Sequence, residues 1–521
     1  MSERILKDIA SDNEAQDKLM SGIDKVANVV ASTFGYRGRT VLIESDYGLP
    51  EPTKDGYKTL QSIFLEDPIE NIACQIAKEA SQKTVDFAGD GTSSTLILLQ
   101  AILKNSIDAV RNGKSPIDVK NEIEKSRDLV VKYLDEISIP ITDKLIYDIA
   151  LTSANGEEEI AKIVSDAYIK AGENGSVTHF RSNTDDTFLE FIEGTLVESG
   201  YSDERFINVF SERTCEFSNN PLVVCSAIEF KTVRQVLPFM TFAHENQREL
   251  VIISEMTPQV KDVILQNVIQ KGVPFAVVNA PNFGKKRIDY LNDLAVLLGT
   301  QCITTLSGDD FEGRELAFLG QCEKIVIGKN DTIVTPIKDE AIQEVVNGKI
   351  AEIKSVIETT KNNTEKKYLK ERIAKLNGGV AIIKVGSIIE SELQEKIDRV
   401  DDAVCAVRSA KEEGVVAGGG VALNNARIKL KKIICEEIFY SLRAPISRLL
   451  ENAGKDYADI SEKIHDYPIG YDVKDFKEID MFEAGIVDST KAIKHAFINA
   501  VSASNTILLT IPGVDGSLDG Y

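Results

Sequence analysis

Between residues 193 and 378 the chain changes character, and that change limits its fold more than any single motif does. Short β-branched runs (Leu222-Val-Val-Cys225, Leu250-Val-Ile-Ile253, Phe275-Ala-Val-Val278 and Lys324-Ile-Val-Ile327) alternate there with helical stretches, the pattern of an α/β domain. On either side the pattern is helical. Leu19, Ile23, Val26 and Val30 fall at helical spacing, and Gly35-Tyr36-Arg37-Gly38 then turns the chain into the strand-like Thr40-Val-Leu-Ile43. Asp67-Pro68 supplies an N-cap and a first helical position, with Ile69, Ile72, Ile76 and Ala80 as the expected buried stripe. Ser115-Pro116 opens a helix that runs to Pro140. Beyond the α/β stretch, Ile342, Val346, Ile350, Ile353 and Ile357, followed by Tyr368, Leu369, Ile373 and Leu376, predict a helical hairpin stopped by Asn377-Gly378-Gly379. The strand Ala381-Ile-Ile-Lys-Val385 comes next, then a largely helical remainder. An α/β domain set between two helical halves requires the halves to pack together. At 521 residues the chain is too long for one core, and roughly three or four domains are expected.

Composition excludes several classes of partner. A net charge of −22 opposes nucleic acid and the anionic face of a membrane. Seven cysteines, an odd number without a C-x-x-C pair, read as reduced and mostly buried thiols. The four histidines are far apart, which gives a zinc site little support. Met1-Ser-Glu-Arg-Ile-Leu-Lys-Asp8 is charged, and no apolar run reaches membrane-spanning length, so a reducing cytoplasm is the expected location.

The chemistry begins at Ala88-Gly-Asp-Gly-Thr-Ser-Ser-Thr95, which runs directly into the apolar Leu96-Ile-Leu-Leu-Gln-Ala-Ile-Leu103. Gly89 and Gly91 let the backbone approach a ligand, and the first N–H groups of the helix suit a phosphate. Thr92, Ser93 and Ser94 add hydroxyls. Asp90 would repel a bare phosphate, so its presence suits a divalent cation between carboxylate and phosphate oxygens. Read alone, the segment is better taken as an Asp-Gly turn followed by Ser/Thr capping of an ordinary helix.

Three distant segments join this loop if the helical halves form one body: Gly35-Tyr-Arg-Gly38, Thr53-Lys54-Asp55-Gly56 and Gly418-Gly419-Gly420. With Ser153-Ala-Asn155, Arg372-Ile-Ala-Lys-Leu376, Lys384-Val-Gly386 and Gly485-Ile-Val-Asp488, their order over nearly the whole chain resembles the group I chaperonins, the bacterial and organellar GroEL-type ring proteins. The resemblance implies a multidomain α+β and α/β fold. Its parts would be a mainly helical equatorial ATPase domain at 1–139 and 414–521, a small intermediate hinge domain at 140–193 and 380–413, and an inserted α/β apical domain at 194–379. It also implies ATP, Mg2+ and K+ as cofactors. By motif, Asp90 would bind magnesium, and Thr33, Lys54 and Ser93 potassium. Thr33, Phe34, Gly35, Gly56, Gly91, Thr92, Ser93, Ser94, Gly419, Asp472, Val473, Ile486 and Asp488 would line the ATP site. Asp402 would activate the attacking water, with Asp55 as a second acid. Pro140, Gly194, Gly379 and Gly414 would be hinges, and Tyr201, Phe206, Leu237 and Met240 would face clients or a lid. Without the resemblance, Asp401-Asp402 reads as a solvated helix face and Gly418-Gly419-Gly420 as a flexible turn or a close helix contact. The expected partners are non-native proteins and copies of the chain itself in a heptameric ring, with a co-chaperonin as a further candidate.

The chain departs from the family pattern in five places. In the first apical segment, Gly200-Tyr-Ser-Asp-Glu-Arg-Phe206, only Tyr201 and Phe206 keep the aromatic character. Asp262, Gln266 and Asn267 stand at usually apolar positions of an apical helix, removing about 1.5–3 kcal/mol of potential burial at each. Tyr471-Asp472-Val473 replaces the usual Tyr-Asn-Ala beside the base, the stretch from Arg427 to Leu449 is shorter than usual, and the end of the chain lacks a Gly-Gly-Met repeat. Two functions are weighed on these grounds: an ATP-driven folding ring, and a chaperonin-fold scaffold that uses nucleotide for assembly. A small-molecule phosphotransferase is disfavoured because no G-x-x-x-x-G-K-[ST] motif is present.

Overall fold

The computed structural model describes residues 12–44, 50–154, 156–172, 175–307, 311–360, 362–377 and 379–510, so Asn155, Gly378 and the end of the chain lie outside the described residues. The chain divides into two compact units, Met1–Ser165 with Asp398–Tyr521, and Asp166–Ile397. The two helical ends thus fold together. Both boundaries fall inside helices, Glu158–Ala171 and Glu390–Glu413, so they mark where contacts thin out and not where elements end.

In the first unit, helix Thr92–Arg111 is apolar around most of its circumference because other helices surround it. Its Leu98, Leu99, Ile102 and Leu103 are completely buried, in one core with Leu19, Ile23, Val26 and Phe497. Helix Pro68–Ala88 starts as expected, with the Asp67 carboxylate accepting from the N–H groups of Ile69 and Glu70. Of the expected stripe Ile69 and Ala80 are buried and Ile76 packs partly buried against the core, but Ile72 is 38% exposed, and Ala73, Cys74, Ala77, Ser81 and Thr84 complete the inward face. Small residues are required there because this helix packs against both Asp12–Ala31 and Thr490–Leu509. The strand-like segment after the turn forms Val41–Ile43, paired antiparallel with Glu51–Thr53. The final segment is less helical than its sequence suggests: Val415–Ala417 pairs with Val487–Ser489, and Ile469–Asp472 with Lys477–Asp480. Strands of three or four residues are too short to carry a periodic signal.

In the second unit, parallel strands Leu222–Cys225, Leu250–Ile253 and Phe275–Val278 are buried throughout, which accounts for their unbroken apolar sequences. Helices Val233–Glu245, Pro258–Lys271 and Gly284–Leu297 follow them in turn. Antiparallel strands Gly320–Ile327, Thr332–Pro336 and Thr195–Val197 extend the sheet. A separate small sheet places Gly379–Val385 between Ser176–Arg181 and Phe188–Glu193. The helical hairpin forms as Glu340–Thr359 and Asn363–Asn377. Arg372 anchors it through a two-pronged pair with Asp293 at 2.7 and 2.8 Å, so this part of the Arg372–Leu376 motif is structural. All seven cysteines are free, and only Cys405 and Cys435 are partly exposed. Among the described residues no helix is long and apolar enough to cross a membrane.

Candidate active site

Gly89 closes helix Pro68–Ala88 at φ 71°, and Gly91 opens helix Thr92–Arg111 at φ 104°, so Asp90 is held in a tight turn between two left-handed glycines. No side chain caps the second helix, which leaves its first N–H groups without a side-chain acceptor. Beneath the turn, the Thr95 hydroxyl donates to the Gly91 carbonyl at 2.9 Å and lies 3.0 Å from the Thr84 hydroxyl. Thr84 in turn accepts from the Asn499 amide. Sequence reasoning missed these three residues, because buried hydroxyls and amides inside helices leave no motif.

The segment ahead of the loop is pressed against it. A side chain at Gly56 would meet the Ser93 hydroxyl at 2.4 Å and Val30 at 3.2 Å, so Val30, Gly56 and Ser93 meet. Thr33 is buried and donates to the Val30 carbonyl, which leaves its lone pairs available to a cation, whereas the Lys54 side chain is exposed. Gly35, at φ 80°, packs onto Leu449, and the Asn452 amide donates to the carbonyls of Ala31 and Phe34. Arg37 donates to the carbonyls of Val473 and Lys474, joining this loop to the turn that carries Asp472 and Val473. Gly418 donates to the Ile486 carbonyl at 2.9 Å. Gly419 and Gly420 take φ of 62° and 76° and open helix Val421–Lys429, a second helix start without a side-chain cap.

Four carboxylates from four segments feel one another here. Asp90 is open to solvent, yet protein crowds it on enough sides to push its pKa upward, as at the floor of a cleft. The Asp402 carboxyl is pushed well above the usual range, first by burial and then by Asp90 and Asp55. Asp488 is raised to about 7 by burial and Asp90, against the pull of the Gly419 N–H. Burial also raises Asp55, whose carboxylate caps helix Gly56–Gln61 by accepting from Tyr57 and Lys58, with Asp90 a smaller influence. Lys58 pulls the Asp55 carboxyl down, whereas the charged groups that act on Asp402 and Asp488 are other carboxylates. Among the described residues no three His, Cys, Asp or Glu side chains form a ready-made metal cluster. Asp90 offers one exposed carboxylate to a divalent cation, whose other ligands would be phosphate oxygens and water.

The match to known proteins decides the family. Residues 26–511 match the model of the TCP-1/cpn60 chaperonin family. The chain belongs to that family. Its fold is also that of the chaperonin gp146 from bacteriophage EL 2 (Pseudomonas aeruginosa), solved in the presence of ATP-BeFx in two crystal forms. One form superposes with a TM-score of 0.77 at 20% identity, covering 98% of this chain and 99% of that one. The other gives 0.69 at the same identity and coverage. This is a divergent chaperonin with a multidomain α+β fold.

The expected hinge residues lie in facing pairs. Ile139, next to Pro140, bridges Val415, next to Gly414, and Glu193, next to Gly194, pairs with Gly379. The expected client-facing residues are not grouped on one surface. Phe206 and Met240 are 3% and 6% exposed and belong to the α/β core, so in this conformation they cannot present the apolar face that the family pattern implies for them. Tyr201 is half-buried along the sheet edge, bridged to Val278, and Leu237 is 52% exposed. Asp262 and Gln266 are exposed on helix Pro258–Lys271, as is Ile269.

Proposed function

We propose that the chain is an ATP-driven ring chaperonin that binds non-native proteins and couples hydrolysis to movement of its α/β domain. The convergence of Asp90, Asp402, Asp55 and Asp488 beside an uncapped glycine-opened helix carries this reading. On it, 1–139 and 414–521 form the equatorial domain, 140–193 and 380–413 the intermediate domain, and 194–379 the apical domain, with Pro140, Gly414, Gly194 and Gly379 as hinges. Bound Mg-ATP supplies the reactive phosphoanhydride and the positive charge that balances Asp90. The N–H groups and hydroxyls of Thr92, Ser93 and Ser94 hold phosphate oxygens, and Thr33, Lys54 and Ser93 frame a potassium site. Asp488 and Gly419 hold the ribose side, while Phe34, Gly35, Asp472, Val473 and Ile486 flank the base. Asp402 takes the proton of the attacking water on its carboxylate. In the free site burial, and after it the charges of Asp90 and Asp55, push the Asp402 carboxyl upward, and neutralising Asp90 removes one of the influences that oppose its action as a base.

Asp402→Ala is expected to bind ATP as the parent does while turnover falls about 10²–10⁴-fold. Equilibrium nucleotide binding and steady-state phosphate release check this, and near-normal turnover in the variant would refute the assignment.

A further inference from the structure

Helix Glu390–Glu413 lies against the phosphate loop through one face, and its contacts run in step. Residues 402, 405 and 409 are spaced three and four apart, so they share a stripe. The Ser409 hydroxyl, on a residue 3% exposed, donates to the Ala88 carbonyl at 2.5 Å. That carbonyl belongs to the last turn of helix Pro68–Ala88, where the helix's own N–H groups run out. One turn along, Gly89 packs against Cys405: a side chain there would stand 2.3 Å from the Cys405 Cβ and 3.0 Å from its Sγ. Further along the same stripe, Asp402 is held in the field of Asp90. Ala88, Gly89 and Asp90 are thus met in order by Ser409, Cys405 and Asp402. The far end of the helix is fixed by Lys491 to Glu412 at 2.6 Å and Lys494 to Glu413 at 2.9 Å.

We infer that Ser409 and Cys405 are positioning residues that set where the Asp402 carboxylate stands over the phosphate loop. The inference rests on the reading of Asp402 as the base for ATP hydrolysis. Asp402 stands about 10 Å along the helix axis from Ser409, so a tilt of about 6° carries the carboxylate about 1 Å, a displacement that can cost about 10²-fold in rate. Gly89 has no side chain to hold the helices apart, and the Ser409 hydrogen bond fixes how the stripe lines up with the loop.

Two readouts test it. In steady-state ATP hydrolysis, Ser409→Ala and Cys405→Leu are expected to lower kcat about tenfold or more with KM within about twofold of the parent. In nucleotide-free protein, alkylation of Cys405 by a maleimide, followed by peptide mass so that Cys435 is read separately, is expected to run several-fold faster in Ser409→Ala. Parental kcat together with parental alkylation in Ser409→Ala overturns the inference, as does a change in KM alone. If that variant does not fold, the parent protein decides: alkylated at Cys405, it should bind ATP and lose turnover, and full turnover after complete alkylation overturns the inference. Asp402→Ala separates the two claims, because normal turnover in that variant defeats the base assignment while Cys405 alkylation still reports how the helix docks.

Discussion

Asp148 shows at the scale of one residue how this structure tolerates charge. It is 7% exposed, its Oδ2 has no hydrogen-bond partner, and its carboxyl lies where a side chain on Gly485 would otherwise stand. Burial pushes its pKa above the ordinary carboxylate value. Between that ordinary value and the raised one, the folded chain keeps a proton that the unfolded chain has released. The resulting stability is complete at low pH and is lost as pH rises through the folded value. Asp148→Asn is therefore expected to melt above the parent at pH 8, with the gap closing toward pH 4. Thermal melts of nucleotide-free protein across that range check it, and a gap independent of pH would assign the effect to packing. Other residues differ in how plainly the sequence announced them. Asp90 was marked by the glycines on either side, whereas Asp402 was recognisable only through the family pattern, since Asp401-Asp402 alone looks like a solvated face. Cys405 and Ser409 gave no signal, because their importance comes from a missing side chain and an orphan carbonyl in a distant segment.

At the scale of elements, helix Pro68–Ala88 explains why one position of a correct helix can be turned the wrong way. Its isoleucines recur at helical spacing, so they define the stripe on sequence grounds, yet Ile72 faces out. Two neighbouring helices instead approach the alanines, where small side chains let the backbones come close. Ala77 is fully buried there. Ala77→Leu is expected to cost about 1–3 kcal/mol by overpacking, whereas Ile72→Ala on the exposed side should stay within about 0.5 kcal/mol. Denaturant melts of the two variants rank them, and the reverse order would mean that the isoleucine stripe is the packed one. The central parallel strands were legible because they are apolar on both faces. The short ladder of Val415–Ala417 with Val487–Ser489 was not, although it places Asp488 next to Gly419. Pairing between segments so far apart depends on long-range contact, which no local window detects.

At the scale of the molecule, the alternation of helical and α/β stretches was enough to show that the two ends of the chain share one unit. The nature of the client surface was less legible, because it depends on which side of each short helix faces out. With Phe206 and Met240 in the core and Asp262 and Gln266 outside, Leu237 and Ile269 are the apolar residues these two helices expose most. Refolding of an aggregation-prone client is expected to improve with ATP over the nucleotide-free ring, and to lose that gain in Asp402→Ala. Yield with and without ATP, alone and with a co-chaperonin, checks this; no gain in any arm would favour a scaffold. The facing pair Glu193 and Gly379 has one more consequence. The stretch between them leaves and returns on adjacent rungs of one sheet, about 5 Å apart. That stretch is an excursion that begins and ends at one point of the sheet, and its Leu196, Val326 and Ile333 seat it there against Phe180, Val380 and Ile382.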